Sequence, residues 1–274
     1  ALGIAGCVIT AGCDLSAGRM IGFGACISGM LLQRMDYSGK FFPDMQPLNV
    51  FVVALIAMLV CAAFGTVTGF FIAYLNVPPF IATLAMMEIV YGIGLIVTNA
   101  TPLGGYVEQY TNVSNGKFLG INYLIWIAII VAAITWFIFN MTRHGKYMYA
   151  IGGNPQAAEV AGVPVKATLI LIYMKAAAMY GLAGFMLGAK AGGASVQTGY
   201  GYEMEAIAAC TIGGVSVTGG RGKVSSAIIG VAVFELLKVA LQYLGMNANA
   251  QYIAIGVVIF IAISLDIRKY IARK

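Results

Sequence analysis

Residues 11–19, "AGCDLSAGR", bring groups that could take part in chemistry into one short segment. Asp14 supplies a carboxylate, Ser16 a hydroxyl and Arg19 a guanidinium, between two strongly apolar runs. An acid, a hydroxyl and a basic residue this close together could form an active site. The same side chains could instead cap and anchor the helix that follows them. The choice depends on the elements on either side.

Four charged residues lie inside apolar runs: Glu88, Lys175, Glu235 and Lys238. A charge in the middle of a membrane helix costs about 2.5–3.5 kcal/mol on insertion scales, so we expect ion pairs or snorkelling. Glu235 and Lys238 are three residues apart and can pair on one helix face. Glu88 could pair with Lys175 across two helices. A place in a transport pathway is the other interpretation of these charges.

The sequence has no motif for ATP hydrolysis or covalent catalysis. A P-loop needs GxxxxGK[ST]. The nearest candidate is "GGRGKVSS" at residues 219–226, but Val217 stands before it where the first glycine of the motif belongs, and Val224 follows Lys223. The five cysteines form no CxxC pair and predict buried thiols with no metal site. The single histidine, His144, is expected at a membrane interface. We therefore expect no catalytic residues, metal or cofactor in this chain.

Composition indicates the class of protein to which these residues belong. The 274 residues are 61% hydrophobic and 9% charged, with a mean hydropathy of +0.90, whereas soluble domains are about 25% charged. So few charges cannot cover a water-facing surface, which predicts an all-α protein that crosses a membrane several times. The net charge of +6 is scattered at the ends of apolar runs. The electrostatic footprint of a nucleic-acid-binding protein is therefore missing.

Eight apolar runs are candidate spans, since crossing a bilayer takes about 20 residues; they are 15–33, 49–75, 78–98, 122–140, 167–189, 203–218, 224–245 and 250–267. Residues 1–12 would form a helix only about 18 Å long, and we expect them to be the inner part of a helix whose beginning is missing. The whole chain, 1–274, is predicted to be one transmembrane domain. With the C-terminus inside, ten Lys and Arg residues lie in inside connections and four outside, which favours a cytoplasmic C-terminus.

On this topology residues 11–19 form an inside connection between two helices. Ser16 or Asp14 can then cap the N-terminus of the second helix. Arg19 lies one turn into that helix, where it can snorkel to the interface or pair with Asp14.

A second copy of this pattern occurs at residues 213–221, "GGVSVTGGR". Thr218 takes the place of Ser16, and Arg221 takes the place of Arg19. A parallel duplication, as found in transporters, explains the match. Coincidence in a glycine-rich chain is the alternative.

Residues 75–84, "LNVPPFIATL", predict a break between two helices. Pro79 lacks a backbone donor and Pro78 restricts Val77, so one helix should end here and another should begin with proline in its first turn. A plain inside turn is the simpler interpretation. Broken backbone that lines a cavity is the alternative.

The connection at residues 141–166 is the longest on the inside and predicts a short helix of its own. In "NPQAAEVAG", Asn154 can cap the helix, Pro155 can occupy its first position and Gly162 can close it. A capped helix with small side chains suits a groove on another protein. A solvated connector that only turns the chain is the alternative.

These motifs resemble those of one family. "QAAEVAG" is similar to the EAA---G signature with which permeases of bacterial ABC importers dock on their ATPase subunits, with Gln156 in place of the usual Glu. "RHGKYMYAIGGNPQAAEVAGV", "AGCDLSAGR", "GFFIAYLNVPPFIATLAMMEIVYG" and "YEMEAIAACTIGGVSVTGGRGKV" resemble the ribose/galactose-type sugar permeases. The resemblance covers essentially the whole chain and is strongest to members that import galactose and methyl galactosides.

The resemblance implies a ten-helix permease fold that lacks helix 1 and the start of helix 2 in this chain. It implies a bacterial inner-membrane location, a second permease copy, lipid, a periplasmic or lipid-anchored sugar-binding protein, and separate ATPase subunits that hold ATP and magnesium. The residues that would form the cytoplasmic coupling helix are Gly153, Asn154, Pro155, Gln156, Ala157, Ala158, Glu159 and Gly162.

The resemblance also implies that galactose or a methyl galactoside is the cargo, with ribose, xylose or another small sugar as alternatives. The candidate residues of the sugar pathway or its gate are Asp14, Ser16, Arg19, Asn76, Thr83, Thr218 and Arg221. An ion-coupled secondary transporter that uses Glu88, Lys175 and Glu235 is the alternative class. A passive channel is a third possibility.

Overall fold

The computed structural model describes residues 1–271, and they are mostly helical, as predicted. One short hairpin joins β1 (Lys117–Phe118) to β2 (Ile121–Asn122). The helices are α1 (Leu2–Ile9), α2 (Ala17–Leu31), α3 (Val50–Tyr74), α4 (Pro79–Thr98), α5 (Glu108–Asn115), α6 (Tyr123–Met141), α7 (Arg143–Gly153), α8 (Pro155–Val160), α9 (Val165–Ala191), α10 (Tyr202–Ile212), α11 (Val224–Tyr243) and α12 (Ala248–Ile271).

Within the described residues, five helices are long and apolar enough to cross a membrane: α3, α4, α6, α9 and α11. They correspond to five of the eight predicted spans. A sixth predicted run, 250–267, lies in α12, whose apolar stretch is Asn249–Ala262.

Two of the eight predicted spans form helices that are too short to cross a membrane. The run at 15–33 gives α2, with 15 residues, and the run at 203–218 gives α10, with 11 residues. Helices of these lengths reach about 22 and 16 Å, short of a hydrocarbon core about 30 Å thick. Hydropathy counts apolar residues but does not detect where the backbone leaves the helix, as it does at Gly214 with a φ of +98°.

Contacts divide the chain into two compact units. Unit 1 comprises Ala1–Cys13, Thr135–Thr168 and the described residues from Met204 onward, and unit 2 comprises Asp14–Ile134 and Leu169–Glu203. The prediction of a single permease domain is not tested by this division and stays a prediction.

In unit 2, α2 runs antiparallel to α3 and begins about half-way along it. Leu48 N donates to Leu31 O at 3.3 Å, which joins the end of α2 to the start of α3. At the other end of α2, Met20 O lies 3.6 Å from the Sγ of Cys61, the twelfth of 25 residues in α3. The first turn of α2 therefore lies in the middle of this bundle.

The predicted break at residues 75–84 is confirmed as a turn. α3 ends at Tyr74 and α4 begins with Pro79 at its first position. Asn76 adopts a left-handed φ of +52°, and Val77 N donates to Phe71 O at 3.2 Å. The chain thereby reverses direction between two long apolar helices.

The far end of α9 is tied to the segment that follows α4. The Tyr110 hydroxyl donates to Phe185 O at 2.7 Å, and Ser114 Oγ donates to Ala189 O at 3.0 Å. Tyr110, Phe185 and Ala189 share a buried cluster with Leu32. This cluster closes the end of unit 2 opposite to the 75–78 turn.

Candidate functional site

Arg19, the third residue of α2, lies between two tyrosine rings. Its Cζ is 4.1 Å from the ring centroid of Tyr91 on α4 and 4.7 Å from that of Tyr200. Its Nη1 donates to Val196 O at 3.1 Å and to Gln197 Oε1 at 2.9 Å. A guanidinium is well suited to this arrangement, because its faces attract aromatic rings while its edge donates hydrogen bonds.

These contacts, and not the predicted pair with Asp14, hold Arg19 within the described residues, whereas its snorkelling to an interface stays a prediction. The segment 192–201, which connects α9 to α10, folds back onto α2 and supplies hydrogen-bond acceptors to Arg19 from 177 and 178 residues away. Local spacing could not reveal such a partner.

Gln197 links two of the groups around Arg19. Its carbonyl oxygen accepts from Arg19, and its Nε2 donates to the Tyr91 hydroxyl at 3.0 Å. An amide side chain can satisfy both roles at once because its oxygen accepts and its nitrogen donates. We call Arg19, Tyr91, Gln197 and Tyr200 the Arg19 cage. Tyr200 is 68% exposed and Gln197 is exposed, so the cage has an open face.

Glycines in α2 allow the 192–201 segment to approach closely. A Cβ on Gly22 would clash with Thr198 O, and a Cβ on Gly18 would clash with Gly199 O and with Glu203 Oε2. Within the segment, Tyr200 N donates to Gln197 O at 3.1 Å. The segment is thus held by its own turn and by backbone contact with α2.

The cage lies half-way along the helices of unit 2. Its Arg19 precedes Met20, which meets the middle of α3, and Tyr91 is the thirteenth of the 20 residues of α4. The start of α2 therefore lies beside the middle of α3 and α4, not at the end of this bundle. The prediction that residues 11–19 form an inside connection stays a prediction.

Asp14 and Ser16 are buried and bonded to each other. Ser16 N and Ser16 Oγ donate to Asp14 Oδ1 at 3.0 and 2.6 Å. Ser16 directly precedes α2, but its φ and ψ of −77° and −10° are already helical, and its side chain makes no capping bond. Capping by Ser16 is therefore wrong. Asp14 instead accepts the Ser16 N–H beside the helix N-terminus, where the dipole favours a carboxylate.

The other candidate pathway residues lie apart from the cage. Asn76 is exposed in the turn after α3, and Thr83 is fully buried on α4, where its Oγ1 donates to Phe80 O at 3.3 Å. Thr218 and Arg221 belong to unit 1: the Thr218 hydroxyl is 2.9 Å from Ser216 Oγ, and Arg221 is exposed. Their role in a pathway stays a prediction.

The predicted short helix at residues 141–166 is confirmed as α8, Pro155–Val160. Asn154 Oδ1 accepts from Ala157 N at 2.9 Å, Pro155 is the first helical residue, and Gly162 has a φ of +82°. Gly153 does not belong to α8 but ends α7, a second helix in this connection that the sequence did not predict.

Most of α8 is exposed. Gln156, Ala157 and Glu159 are exposed, whereas Ala158 is buried, with 5% of its surface exposed. Val160 has 91% of its surface exposed. A short, capped helix that presents an uncovered valine and small side chains can dock in a groove of another protein.

Gly152, near the end of α7, lies against two other segments of unit 1. A Cβ there would clash with Ile9 O at the end of α1 and with Gly220 N in the loop before α11. Gly220 N donates to Ile9 O at 2.8 Å, and the Tyr149 hydroxyl donates to Gly222 O at 2.8 Å. Burial raises the pKa of the Tyr149 hydroxyl, which keeps it protonated as a donor. We call Ile9, Tyr149, Gly152, Gly220 and Gly222 the glycine junction.

Lys238 on α11 holds two carboxylates in unit 1. Its Nζ is 3.0 Å from Glu205 Oε2 and 3.7 Å from Glu235 Oε1. The predicted Glu235–Lys238 pair is confirmed, and Glu205, on α10, is an additional partner. Among residues 1–271 no ion pair joins Glu88 to Lys175: Glu88 is exposed and Lys175 half-buried, so that predicted pair is wrong.

Sequence reasoning missed the residues whose partners are distant in sequence. They are Tyr91, Gln197, Tyr200, Glu203 and Glu205. One signal was available: residues 192–201, "GGASVQTGYG", follow a long apolar helix and combine glycines with polar and aromatic side chains. Such a composition indicates a shaped loop, but not which helix it contacts.

Several apolar helices, a helix that begins inside the bundle and an exposed coupling-type helix define a multi-span permease subunit. The family model described as "Branched-chain amino acid transport system / permease component" matches residues 1–263. The chain belongs to this family, which confirms the permease class inferred from its motifs.

The relatives include sugar permeases. The galactose/methyl galactoside import permease of Escherichia coli K12 is 41% identical over 100% of this chain and 84% of its own length. The protein of the same name from Haemophilus influenzae is 42% identical with the same coverage. The ribose import permease of Escherichia coli K12 is 32% identical over 98% of this chain and 81% of its own length. No solved structure matches the chain.

Proposed function

We propose that this chain is the permease subunit of an ABC importer that takes up galactose or methyl galactosides. The observation that carries the proposal is an identity of 41–42% over the entire chain with galactose/methyl galactoside permeases, against 32% with a ribose permease. Similarity spread over all 274 residues covers both the Arg19 cage and the coupling-type helix. A different small sugar is the competing cargo.

In this function α8 docks on a separate ATPase subunit, which binds and hydrolyses ATP with magnesium. The exposed Val160 and the small side chains of α8 provide the surface, and the Asn154 cap holds its first turn. Since α7 leads directly into α8, force applied to α8 reaches Gly152 and the glycine junction. The junction then carries the movement to the end of α1 and the loop before α11.

The proposal includes further partners and a membrane orientation. A sugar-binding protein delivers the cargo, and a second permease copy and lipid surround the apolar helices, in a bacterial inner membrane. The proposal places α8 and the C-terminus on the cytoplasmic side, where the ATPase subunit binds. Arg273 and Lys274, two of the ten Lys and Arg residues counted as inside, lie outside the described residues.

Transport by purified components tests the function. The chain, with its ATPase partner and sugar-binding protein, is reconstituted in liposomes, and uptake of labelled galactose and labelled ribose is measured with and without ATP. We expect ATP-dependent uptake of galactose. Uptake of ribose but not of galactose would show that ribose is the cargo. Uptake driven by a proton or sodium gradient without the ATPase would show that the chain is not an ABC permease.

The docking role of α8 has its own test. Asn154→Ala removes a cap that stabilises a helix by about 1 kcal/mol, so we expect less ATPase subunit to copurify and slower uptake. Asn154→Asp, which retains a capping oxygen, is the matched control and should behave as the unmodified protein. Equal copurification by all three proteins would contradict docking through a preformed α8.

A further inference from the structure

The Arg19 cage places polar groups where lipid cannot solvate them. It lies half-way along the helices of unit 2, and Gln197 is exposed there. Glu88, also exposed, is three residues before Tyr91 on α4 and therefore on the same side of that helix. Exposed polar and charged side chains at this depth must face water, protein or a polar ligand. The open face of the cage is thus part of a polar surface.

The helix geometry resembles one that is used for binding in other membrane transport proteins. Secondary transporters bind their substrates near the bilayer midplane, between helices that begin or end within the membrane. In unit 2, α2 begins in the middle of the bundle and presents Arg19 in its first turn. Discontinuous backbone at this depth is tolerated where it is buried in protein or lines a cavity.

The groups in the cage suit a neutral polyol with an apolar face. Arg19 has five N–H donors, and the hydrogen bonds that it makes within residues 1–271 come from Nη1 alone. Tyr200 is 68% exposed, so its ring can receive the C–H face of a pyranose.

We propose that the Arg19 cage is a sugar-contacting site within the transport pathway. The Tyr200 ring packs on the sugar, while the remaining N–H groups of Arg19 and the Gln197 amide bind its hydroxyls. The inference rests on the proposed function, because it identifies where the proposed cargo is held during transport. The site has few contacts, which suits a cargo that must also leave.

Variants of the exposed cage residues test this site in the reconstituted transporter. Tyr200→Ala and Gln197→Ala are compared with the unmodified protein for uptake of galactose and methyl galactoside, and for ATPase activity stimulated by the loaded binding protein. We expect uptake per ATP to fall about fivefold, which corresponds to about 1 kcal/mol. The ratio of the two uptake rates should change, because a lost contact affects the two sugars unequally.

Two controls separate recognition from folding. Tyr200→Phe keeps the aromatic ring and should retain uptake within about twofold, since only the hydroxyl is lost. Tyr74→Ala removes an exposed tyrosine at the end of α3, outside the cage, and should leave the ratio of the two sugars unchanged.

The outcomes distinguish the two proposals. A parallel loss of both sugars, ATPase activity and thermal stability would overturn the sugar site and make the cage a structural tether. Uptake equal to that of Tyr74→Ala would also overturn it. If the unmodified protein transports ribose and not galactose, the proposed cargo is wrong. An altered ratio of ribose to xylose uptake in the same variants would then still support the sugar site. Absence of any sugar uptake by the unmodified protein would overturn both proposals.

Discussion

The Arg19 cage and the glycine junction both join segments that are far apart in the sequence, but they use different parts of the chain. In the cage, a guanidinium, an amide and two aromatic rings make the contacts. In the junction, the backbone of Gly152 packs directly on Ile9 O and Gly220 N. One region depends on which side chains are present, and the other on the absence of side chains.

This difference suggests a division of tasks. Side chains with an open face can discriminate between ligands, whereas close backbone contact transmits movement because it cannot be compressed. The cage lies in unit 2, and the junction lies in unit 1 next to α8. We therefore expect truncation to have its main effect at the cage, and an added Cβ to have its main effect at the junction.

The largest effect is expected for Gly152→Ala. The new Cβ would meet backbone atoms of two segments, so α1 or the loop before α11 must shift, and overpacking of this kind costs about 3 kcal/mol. The temperature of thermal unfolding and the rate of ATP-driven uptake should both fall. Gly153→Ala is the matched control, because nothing lies within 4 Å of a Cβ at that position. Equal behaviour of the two variants would show that the junction is not tightly packed.

A smaller effect is expected for Gly22→Ala. Its Cβ would meet Thr198 O, but the 192–201 segment is a loop that can move more readily than a helix end, so we expect a cost of about 2 kcal/mol. Displacement of Gln197 and Tyr200 should lower sugar uptake more than binding-protein-stimulated ATPase activity. Gly92→Ala on α4, where a Cβ meets nothing within 4 Å, is the control. If Gly22→Ala leaves uptake intact, the position of this loop does not matter for transport.

The smallest effect is expected for Tyr149→Phe, which changes the one junction residue that contributes a side-chain hydrogen bond to Gly222 O. Loss of a single hydrogen bond costs about 1 kcal/mol, measured as a shift in thermal unfolding. Tyr147→Phe on the same helix is the control, since no hydroxyl bond of Tyr147 occurs within residues 1–271. A loss of thermal stability as large as that of Gly152→Ala would mean that the glycine junction also depends on side chains.

Local features were predictable from the residues. The end of α3, the start of α4 at Pro79 and the capped α8 follow from proline, asparagine and glycine, whose backbone preferences act within a few residues. The Glu235–Lys238 pair follows from helical spacing. The shortness of α2 and α10 did not follow, because an apolar run has the same composition whether or not its backbone stays helical.

By itself, the sequence determined the class of protein, the long apolar helices and the coupling-type segment, because composition, hydropathy and capping are properties of neighbouring residues. Only the tertiary structure decided what Arg19 contacts and which backbones meet at Gly152. Both depend on segments more than 50 residues apart that are brought together by chain folding, at 2.9–3.1 Å for Arg19 and its two acceptors. No local preference encodes such a contact, since its free energy arises only after the helices have packed.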